Sequence, residues 1–102
     1  MIHVIATVEL AEGKTNDYLR ELHKVIPDVR AETGCLEYGP AMDVVTDIPV
    51  QEPVRVNIVT IIERWTDLPA LMNHLKTKHM KAYRDATKIL VKSLKVQILK
   101  PV

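Results

Sequence analysis

The chain has 102 residues and a mass of 11.6 kDa, which predicts a single domain over residues 1–102. Hydrophobic residues make up 47% and charged residues 26%, a composition that excludes a disordered tail. The net charge of +1 argues against nucleic acid or an anionic membrane as the principal partner. The lone Cys35 cannot form an internal disulfide, and no apolar run approaches membrane-spanning length. We therefore expect a cytoplasmic protein with no membrane partner.

The first third of the chain predicts a strand followed by a helix. Ile2 to Leu10 is rich in Ile and Val, which is typical of a strand. From Thr15 the apolar residues change to helical spacing, with Thr15 or Asn16 as the N-cap. Pro27 lies inside this pattern and predicts a kink or a helix in two pieces, and Gly34 closes the helix.

Two further strands are predicted on either side of a loop. Cys35 to Val45 forms the second strand, with a bulge or a sheet edge at Pro40. Two prolines and the lack of periodicity predict a loop over Thr46 to Pro53. Arg55 to Trp65 (RVNIVTIIERW) is the strongest strand pattern in the chain.

The last third of the chain predicts two short helical segments and a final strand. Asp67 is the N-cap of the first segment, with Pro69 in its first turn, and Thr77 is the N-cap of the second. Alternation of apolar and polar residues from Lys92 to Leu99 predicts the fourth strand. The order β-α-β-β-α-β predicts an α+β, ferredoxin-like fold, in which a four-stranded antiparallel sheet carries helices on one face.

The strands also indicate that the other face of the sheet is covered. A sheet covered on one side should alternate apolar with polar residues. The run from Ile58 to Ile62 carries apolar residues on both faces, and Ile2 to Ala6 behaves similarly. Because the helices cover only one face, we expect a second copy to cover the other and form a homodimer.

Four segments, in this order, resemble the antibiotic biosynthesis monooxygenase family, and within it the small quinol monooxygenases. They are EGK (Glu12 to Lys14), VRAETGCLEY (Val29 to Tyr38), ERW (Glu63 to Trp65) and HLKTKHMKAY (His74 to Tyr83). The resemblance covers essentially the whole chain. It implies a dimeric α/β barrel in which each subunit keeps a pocket between its sheet and its helices.

The resemblance also implies oxygenation of a quinol or related phenol by dioxygen, with no cofactor and no metal. Such a reaction is possible because a deprotonated hydroquinone can itself give an electron to dioxygen. The protein must then supply an apolar pocket, a base for the phenolic proton and donors that stabilise the developing anion.

Three residues in the last of these segments are candidate catalytic groups. His79 and Tyr83 are four residues apart and share a helix face, and His74 lies across the break at Thr77. One histidine, with His79 preferred, would be the base, and Tyr83 would donate a hydrogen bond to the substrate oxygen. The alternative is that both histidines are surface or capping residues. Their spacing does not match a zinc site.

Candidate substrate-binding residues lie on the predicted strands. Trp65 is predicted either to stack on a phenolic ring or to pack against the helix that follows. Asn57 and Glu63 share its strand face by the period of two. Tyr38 and Asp43 on the second strand are weaker candidates.

Other functions of the same fold are alternatives. Haem-degrading members of the superfamily have an Asn on the first strand and a Trp and a His in the second helical region. The corresponding positions here hold Ala6 or Thr7, His74 and Arg84, which disfavours haem degradation. A non-catalytic small-molecule-binding dimer or a small-metabolite isomerase is also compatible with the fold. An enzyme should gather several ionisable groups around one apolar cavity, whereas a binder needs only shape and hydrogen bonds.

Overall fold

One four-stranded antiparallel sheet, with three helices packed on it, makes up the computed structural model, which describes residues 1–102. In chain order the elements are β1 (Ile2–Leu10), α1 (Thr15–Arg30), β2 (Cys35–Ala41), β3 (Ile58–Trp65), α2 (Leu68–His74), α3 (Lys78–Thr87) and β4 (Val91–Leu99). The strand order is β2-β3-β1-β4. This is the predicted ferredoxin-like α+β fold, with the second helical region divided into α2 and α3.

The hydrophobic core lies between the sheet and the helices. Val4, Ala6 and Val8 alternate along β1 and are all buried, as the period of two requires. On α1, buried residues recur at intervals of three and four and pack into the same cluster: Tyr18, Leu22, Val25, Ile26 and Val29. The buried side chains of the strand and of the helix therefore form one core.

Helix α1 differs from its prediction at both ends. Its N-cap is Lys14 and no side chain caps the first turn, so neither Thr15 nor Asn16 has the predicted role. The helix runs through Pro27 as one piece and ends at Arg30, before Gly34. Pro27 is tolerated because it lies on the exposed side of the helix, where water can satisfy the carbonyl that loses its N–H partner.

The two shorter helices begin at their predicted caps. The Asp67 carboxylate accepts a hydrogen bond from the backbone N–H of Ala70 at 2.9 Å. The Thr77 hydroxyl accepts one from the backbone N–H of Met80 at 3.3 Å. Both capping predictions are confirmed. None of the three helices has the length and hydropathy needed to cross a bilayer.

The third strand starts later than predicted. It begins at Ile58, and the preceding Asn57 has a φ of 60°, in the left-handed region that a strand residue does not adopt. The Asn57 carbonyl instead accepts a hydrogen bond from the backbone N–H of Leu10 at 2.8 Å. The prediction that Asn57 shares a strand face with Glu63 and Trp65 is therefore wrong.

Residues 42–57, which we call the arm, connect β2 to β3 and contain no helix or strand. The second strand ends at Ala41, so the predicted extension to Val45 is wrong. At the base of the arm the Asp43 carboxylate accepts two side-chain hydrogen bonds from Arg55, at 2.8 and 2.9 Å. Asp43 is thereby drawn into the arm and away from the sheet.

Candidate active site

A cavity of about 350 Å³ lies between the sheet and the helices α2 and α3. Twelve of its fifteen lining residues are hydrophobic. Its polar groups are the side chains of Glu63, His74 and Arg84 and the tyrosines Tyr38 and Tyr83. This volume and this mixture are typical of a small-molecule site.

The sheet forms one wall of the cavity through aligned rows of side chains. Tyr38 pairs with Glu63, Glu63 with Val4, and Val4 with Ile98, so the row crosses all four strands. The next row across β3, β1 and β4 consists of Ile61, Ala6 and Val96. Glu63 therefore projects from the sheet among apolar side chains.

Glu63 is a buried carboxyl group with one oxygen left free. It is 6% exposed, and its Oε1 accepts a hydrogen bond from the indole N–H of Trp65 at 2.9 Å. Burial raises the pKa of Glu63 from 4.5 to about 7, and the charge of Glu32 adds to this effect, whereas the Trp65 bond opposes it. Glu63 can therefore exchange a proton near neutral pH.

His74, the last residue of α2, places one ring nitrogen at the cavity. Its ring is 2% exposed and packs against those of Trp65 and Tyr38, at centroid distances of 4.7 and 5.5 Å. Nδ1 lies 2.8 Å from the Glu32 carboxylate, so Nδ1 carries the proton and donates it. Nε2 makes no hydrogen bond within the chain, yet no buried side-chain nitrogen or oxygen lacks a partner. Nε2 therefore reaches the free space of the cavity.

The surroundings of His74 favour the neutral form of its ring. Burial is the main cause that lowers the pKa of His74, and the nearby charge of Arg84 acts in the same direction. The hydrogen bond to Glu32 and its charge oppose this shift. A neutral imidazole with Nδ1 protonated presents the Nε2 lone pair to the cavity.

Glu32 joins the α1–β2 turn to both short helices. The same oxygen, Oε2, that binds His74 also lies 2.8 Å from Nε2 of His79 on α3. The turn lies close against α2 because Gly34 has a φ of +85° and no side chain, and a Cβ there would lie 2.6 Å from the Cβ of Ala70. No group of three His, Cys, Asp or Glu side chains is arranged to hold a metal ion.

Two tyrosines supply hydroxyl groups to the cavity. The Tyr83 hydroxyl is hydrogen-bonded to that of the fully buried Tyr18, and the two rings meet edge to face. The Tyr38 hydroxyl makes no hydrogen bond within the chain. Burial raises the pKa of both Tyr38 and Tyr83, so both hydroxyls stay protonated and can donate.

The structure brings four of the eight predicted site residues to the cavity: Tyr38, Glu63, His74 and Tyr83. His79 instead faces a surface groove between α1 and α3. His79 and Tyr83 do share one face of α3, as the spacing predicted, because both line that groove.

The other three predicted residues do not line the cavity. Trp65 is fully buried and lies beside it, in contact with His74 and Glu63. Asp43 lies in the arm, where it binds Arg55. Asn57 lies at the end of the arm, just before β3.

A profile of the antibiotic biosynthesis monooxygenase family matches residues 1–86. The chain belongs to this family. It is 35% identical to the probable quinol monooxygenase YgiN of Escherichia coli K12, with 99% of this chain and 98% of that protein covered. The family resemblance and the monooxygenase class that the sequence predicted are thereby confirmed.

Solved structures of similar sequence share this monooxygenase fold. PA3566 from Pseudomonas aeruginosa superposes with a TM-score of 0.81 at 28% identity, covering 99% of this chain and 93% of that chain. SO0527 from Shewanella oneidensis superposes with a TM-score of 0.78 at 28% identity, covering 96% and 87%. The two alignments therefore extend over nearly the full length of this chain.

Sequence reasoning missed three residues of this candidate site. Glu32 lies 42 residues before His74 in the chain, so no local pattern links the two. Its one local signal is Gly34, because a glycine that closes a turn permits a close backbone approach. In the sequence Arg84 stands out only as the counterpart of a haem-site position, and no motif singles out Tyr18.

Proposed function

We propose that the protein oxidises a quinol or related phenol with dioxygen and without a cofactor. The carrying observation is the convergence of His74 Nε2, the Glu63 carboxyl and two protonated tyrosines on one apolar cavity. A binder needs no such set of ionisable groups. The probable quinol monooxygenase relative supports a quinol as the substrate class.

His74, rather than His79, is the proposed base. Its free Nε2 faces the cavity, whereas the His79 ring binds Glu32 and faces the outer groove. The phenolic proton passes to Nε2, and the imidazolium that forms is stabilised by the Glu32 carboxylate on Nδ1. Glu32 is therefore a positioning residue that sets the tautomer of His74.

The cavity also suits the reaction of the deprotonated quinol with dioxygen. The deprotonated quinol gives electrons to dioxygen, one oxygen atom bonds to a ring carbon, and the other leaves as water. That water carries two hydrogen atoms from the substrate, including the one held by His74. The quinol therefore supplies all four electrons that reduce dioxygen. Tyr38 and Tyr83 donate hydrogen bonds to the developing anion, and the Arg84 guanidinium adds positive charge to the cavity wall.

Trp65 acts through its neighbours in this proposal. Its indole N–H holds Glu63, and its ring packs against that of His74 at a centroid distance of 4.7 Å. The indole is fully buried, so it keeps both groups in place without touching the substrate. Trp65 is therefore a second positioning residue.

Oxygen consumption tests the proposal directly. Purified metal-free protein is supplied with a panel of hydroquinones, and oxygen uptake is followed together with incorporation of labelled oxygen into the product. We expect uptake of one dioxygen per quinol, with one labelled atom in the product. Binding of quinols without any oxygen uptake would instead support the small-molecule binder of the same fold.

We also propose that the protein works as a homodimer, as the family resemblance implies. The outer face of the sheet supports this proposal, because Ile5 and Ile62 pair there across β1 and β3 without a helix to cover them. Ile62 is 37% exposed in the single chain. A second copy would remove this apolar surface from water.

A further inference from the structure

Two histidines converge on a single carboxylate oxygen. Oε2 of Glu32 lies 2.8 Å from Nδ1 of His74 and 2.8 Å from Nε2 of His79, and the Glu32 side chain makes no other hydrogen bond within the chain. An ionised carboxylate accepts hydrogen bonds and does not donate them, so both of these ring nitrogens carry a proton. When both rings are neutral, they are therefore held in opposite tautomers, His74 protonated on Nδ1 and His79 on Nε2.

The break between α2 and α3 brings the two rings to this oxygen. On one continuous helix, side chains five residues apart would point in directions that differ by about 140°. Here the carbonyl of His74, the last residue of α2, accepts hydrogen bonds from the hydroxyl and the backbone N–H of Thr77, at 3.0 and 3.3 Å. Helix α3 then begins at Lys78. The turn at Thr77 therefore allows both histidines to reach Glu32.

The backbone of Glu32 is fixed, whereas its side chain depends on the two histidines. The N–H of Glu32 donates to the Val29 carbonyl at 3.0 Å, and its carbonyl accepts from the N–H of Cys35 at 3.1 Å. The side chain makes no ion pair with a lysine or an arginine. A glutamate side chain that is bound at one point can still turn about its bonds, whereas two donors on one oxygen define its position. Each histidine therefore restrains the carboxylate for the other.

His79 also separates the Glu32 carboxylate from water. The exposed fraction of the side chain rises from 2% at His74 to 11% at Glu32 and 25% at His79. On its outer side His79 lines the groove between α1 and α3, which has a volume of about 260 Å³. The charged side chains of α1 that line this groove are Glu21, Lys24 and Asp28. Without the His79 ring, water from the groove would reach the carboxylate and compete with Nδ1 of His74 for Oε2.

We propose that His79 is a positioning residue for the reaction and acts on the base His74 through Glu32. By restraining and shielding the carboxylate, His79 keeps Nδ1 of His74 protonated and leaves Nε2 free to take the phenolic proton. A histidine side chain in water prefers the opposite tautomer, with the proton on Nε2, and His74 in that form could not act as the base. The effect on turnover rests on the proposed function, whereas the effect on the tautomer does not.

The first test is the tautomer of each ring, measured by ¹⁵N NMR of the imidazole nitrogens in the substrate-free protein at a pH where the rings are neutral. The chain has four histidines, and single substitutions assign their signals. We expect wild type to hold the proton of His74 on Nδ1 and that of His79 on Nε2. In His79→Ala the Nε2-protonated form of His74 should become the major form. His79→Gln should keep the wild-type tautomer, because its amide N–H can take the place of Nε2–H.

Two outcomes of this measurement overturn the proposal. One is the same tautomer at His74 and His79 in wild type, and the other is an unchanged His74 tautomer in His79→Ala. The wild-type spectrum alone can contradict the proposal, so the test does not depend on the folding of a variant.

The second test is oxygen uptake with a hydroquinone, analysed as separate kcat and KM values. His79→Ala should lower kcat by roughly 10- to 100-fold, the range for loss of one hydrogen bond to a charged group, and leave KM within about twofold. This split is expected because the cavity contacts of the substrate remain. His79→Gln should recover most of kcat. Lys81→Ala is the matched control, because this side chain is 77% exposed on the same helix, and it should behave as wild type. Equal losses in His79→Ala and His79→Gln overturn the proposal.

A double-mutant cycle tests whether His79 acts through Glu32. Glu32→Ala should also lower kcat, because it removes the carboxylate from Nδ1 of His74. Addition of His79→Ala to Glu32→Ala should then cause no further loss, since the intermediary is already absent. Losses that multiply in the double variant overturn the proposal. If wild type takes up no oxygen with any hydroquinone, the proposed function fails, and the tautomers still decide whether His79 positions His74.

Discussion

The two halves of the sheet's inner face have the same sequence pattern and different surroundings. Val4, Val59 and Ile61 on β1 and β3 alternate with outward residues and lie buried under the helices, whereas Val96 and Ile98 on β4 alternate in the same way and stay half exposed. Alternation therefore shows which side chains point inward, but not what covers them. The cavity lies where the covered half meets the open half.

The covered half also borders two ionisable groups whose pKa values are shifted by burial. Glu63 and His74 lose water on burial, and this loss is the main cause that raises the pKa of Glu63 and lowers that of His74. The open half contributes apolar walls, with Leu94, Val96 and Ile98. The ionisable groups and the open apolar wall thus lie on different sides of one cavity.

Removal of the base should have the largest effect. His74→Ala removes Nε2 from the cavity and should lower turnover by roughly 10²- to 10⁴-fold, the usual contribution of general acid–base catalysis. Oxygen uptake under saturating quinol measures this effect. His23→Ala on the exposed side of α1 is the control and should leave turnover unchanged. Turnover of His74→Ala within twofold of wild type would contradict the assignment.

Glu63 should make stability depend on pH. Its folded pKa of about 7 lies above the ordinary 4.5, so the folded chain binds the proton more tightly than the unfolded chain. Stability contributed by this group is therefore present below about pH 4.5 and lost as the pH rises through about 7, by roughly 3 kcal/mol. Urea unfolding of wild type and Glu63→Gln at both ends of this range measures it. An equal difference between the two proteins at both pH values would contradict the shift.

One matched pair of substitutions compares the two halves directly. Val4→Ala in the covered half should lower the free energy of unfolding by about 2 kcal/mol, since two buried methyl groups are lost. Val96→Ala in the open half should cost less than about 0.5 kcal/mol in the monomer at high dilution. Its cost should grow with protein concentration if a second copy covers β4. Equal costs at high dilution would show that both halves are covered within one chain.

The smallest effect is expected at a single hydroxyl group. Tyr38→Phe should lower turnover by about ten- to hundredfold, because one hydrogen bond to a developing negative charge contributes about 1.5–3 kcal/mol. Stability should hardly change, since the Tyr38 hydroxyl makes no bond within the chain. Tyr18→Phe is the contrasting variant, because it removes a buried bond to Tyr83 and should lower stability. A larger loss of stability in Tyr38→Phe than in Tyr18→Phe would contradict this view.

Local signals predicted most of the fold. The caps at Asp67 and Thr77 are confirmed because a capping side chain binds a backbone N–H three residues along the chain. The clearest error falls at Asn57, where the surroundings override local preference. The Asn57 carbonyl accepts a hydrogen bond from the backbone N–H of Leu10, which favours the turn there.

The candidate site, like the fold, was predicted from the sequence only in part. The sequence by itself placed His74, His79 and Tyr83 in one helical region and placed Glu63 on the same strand face as Trp65, because these relations depend on short separations and fixed periods. Only the tertiary structure decided that His74 faces the cavity and His79 the outer groove. That choice depends on Glu32, 42 and 47 residues away, which binds both rings, and on the burial that only packing creates.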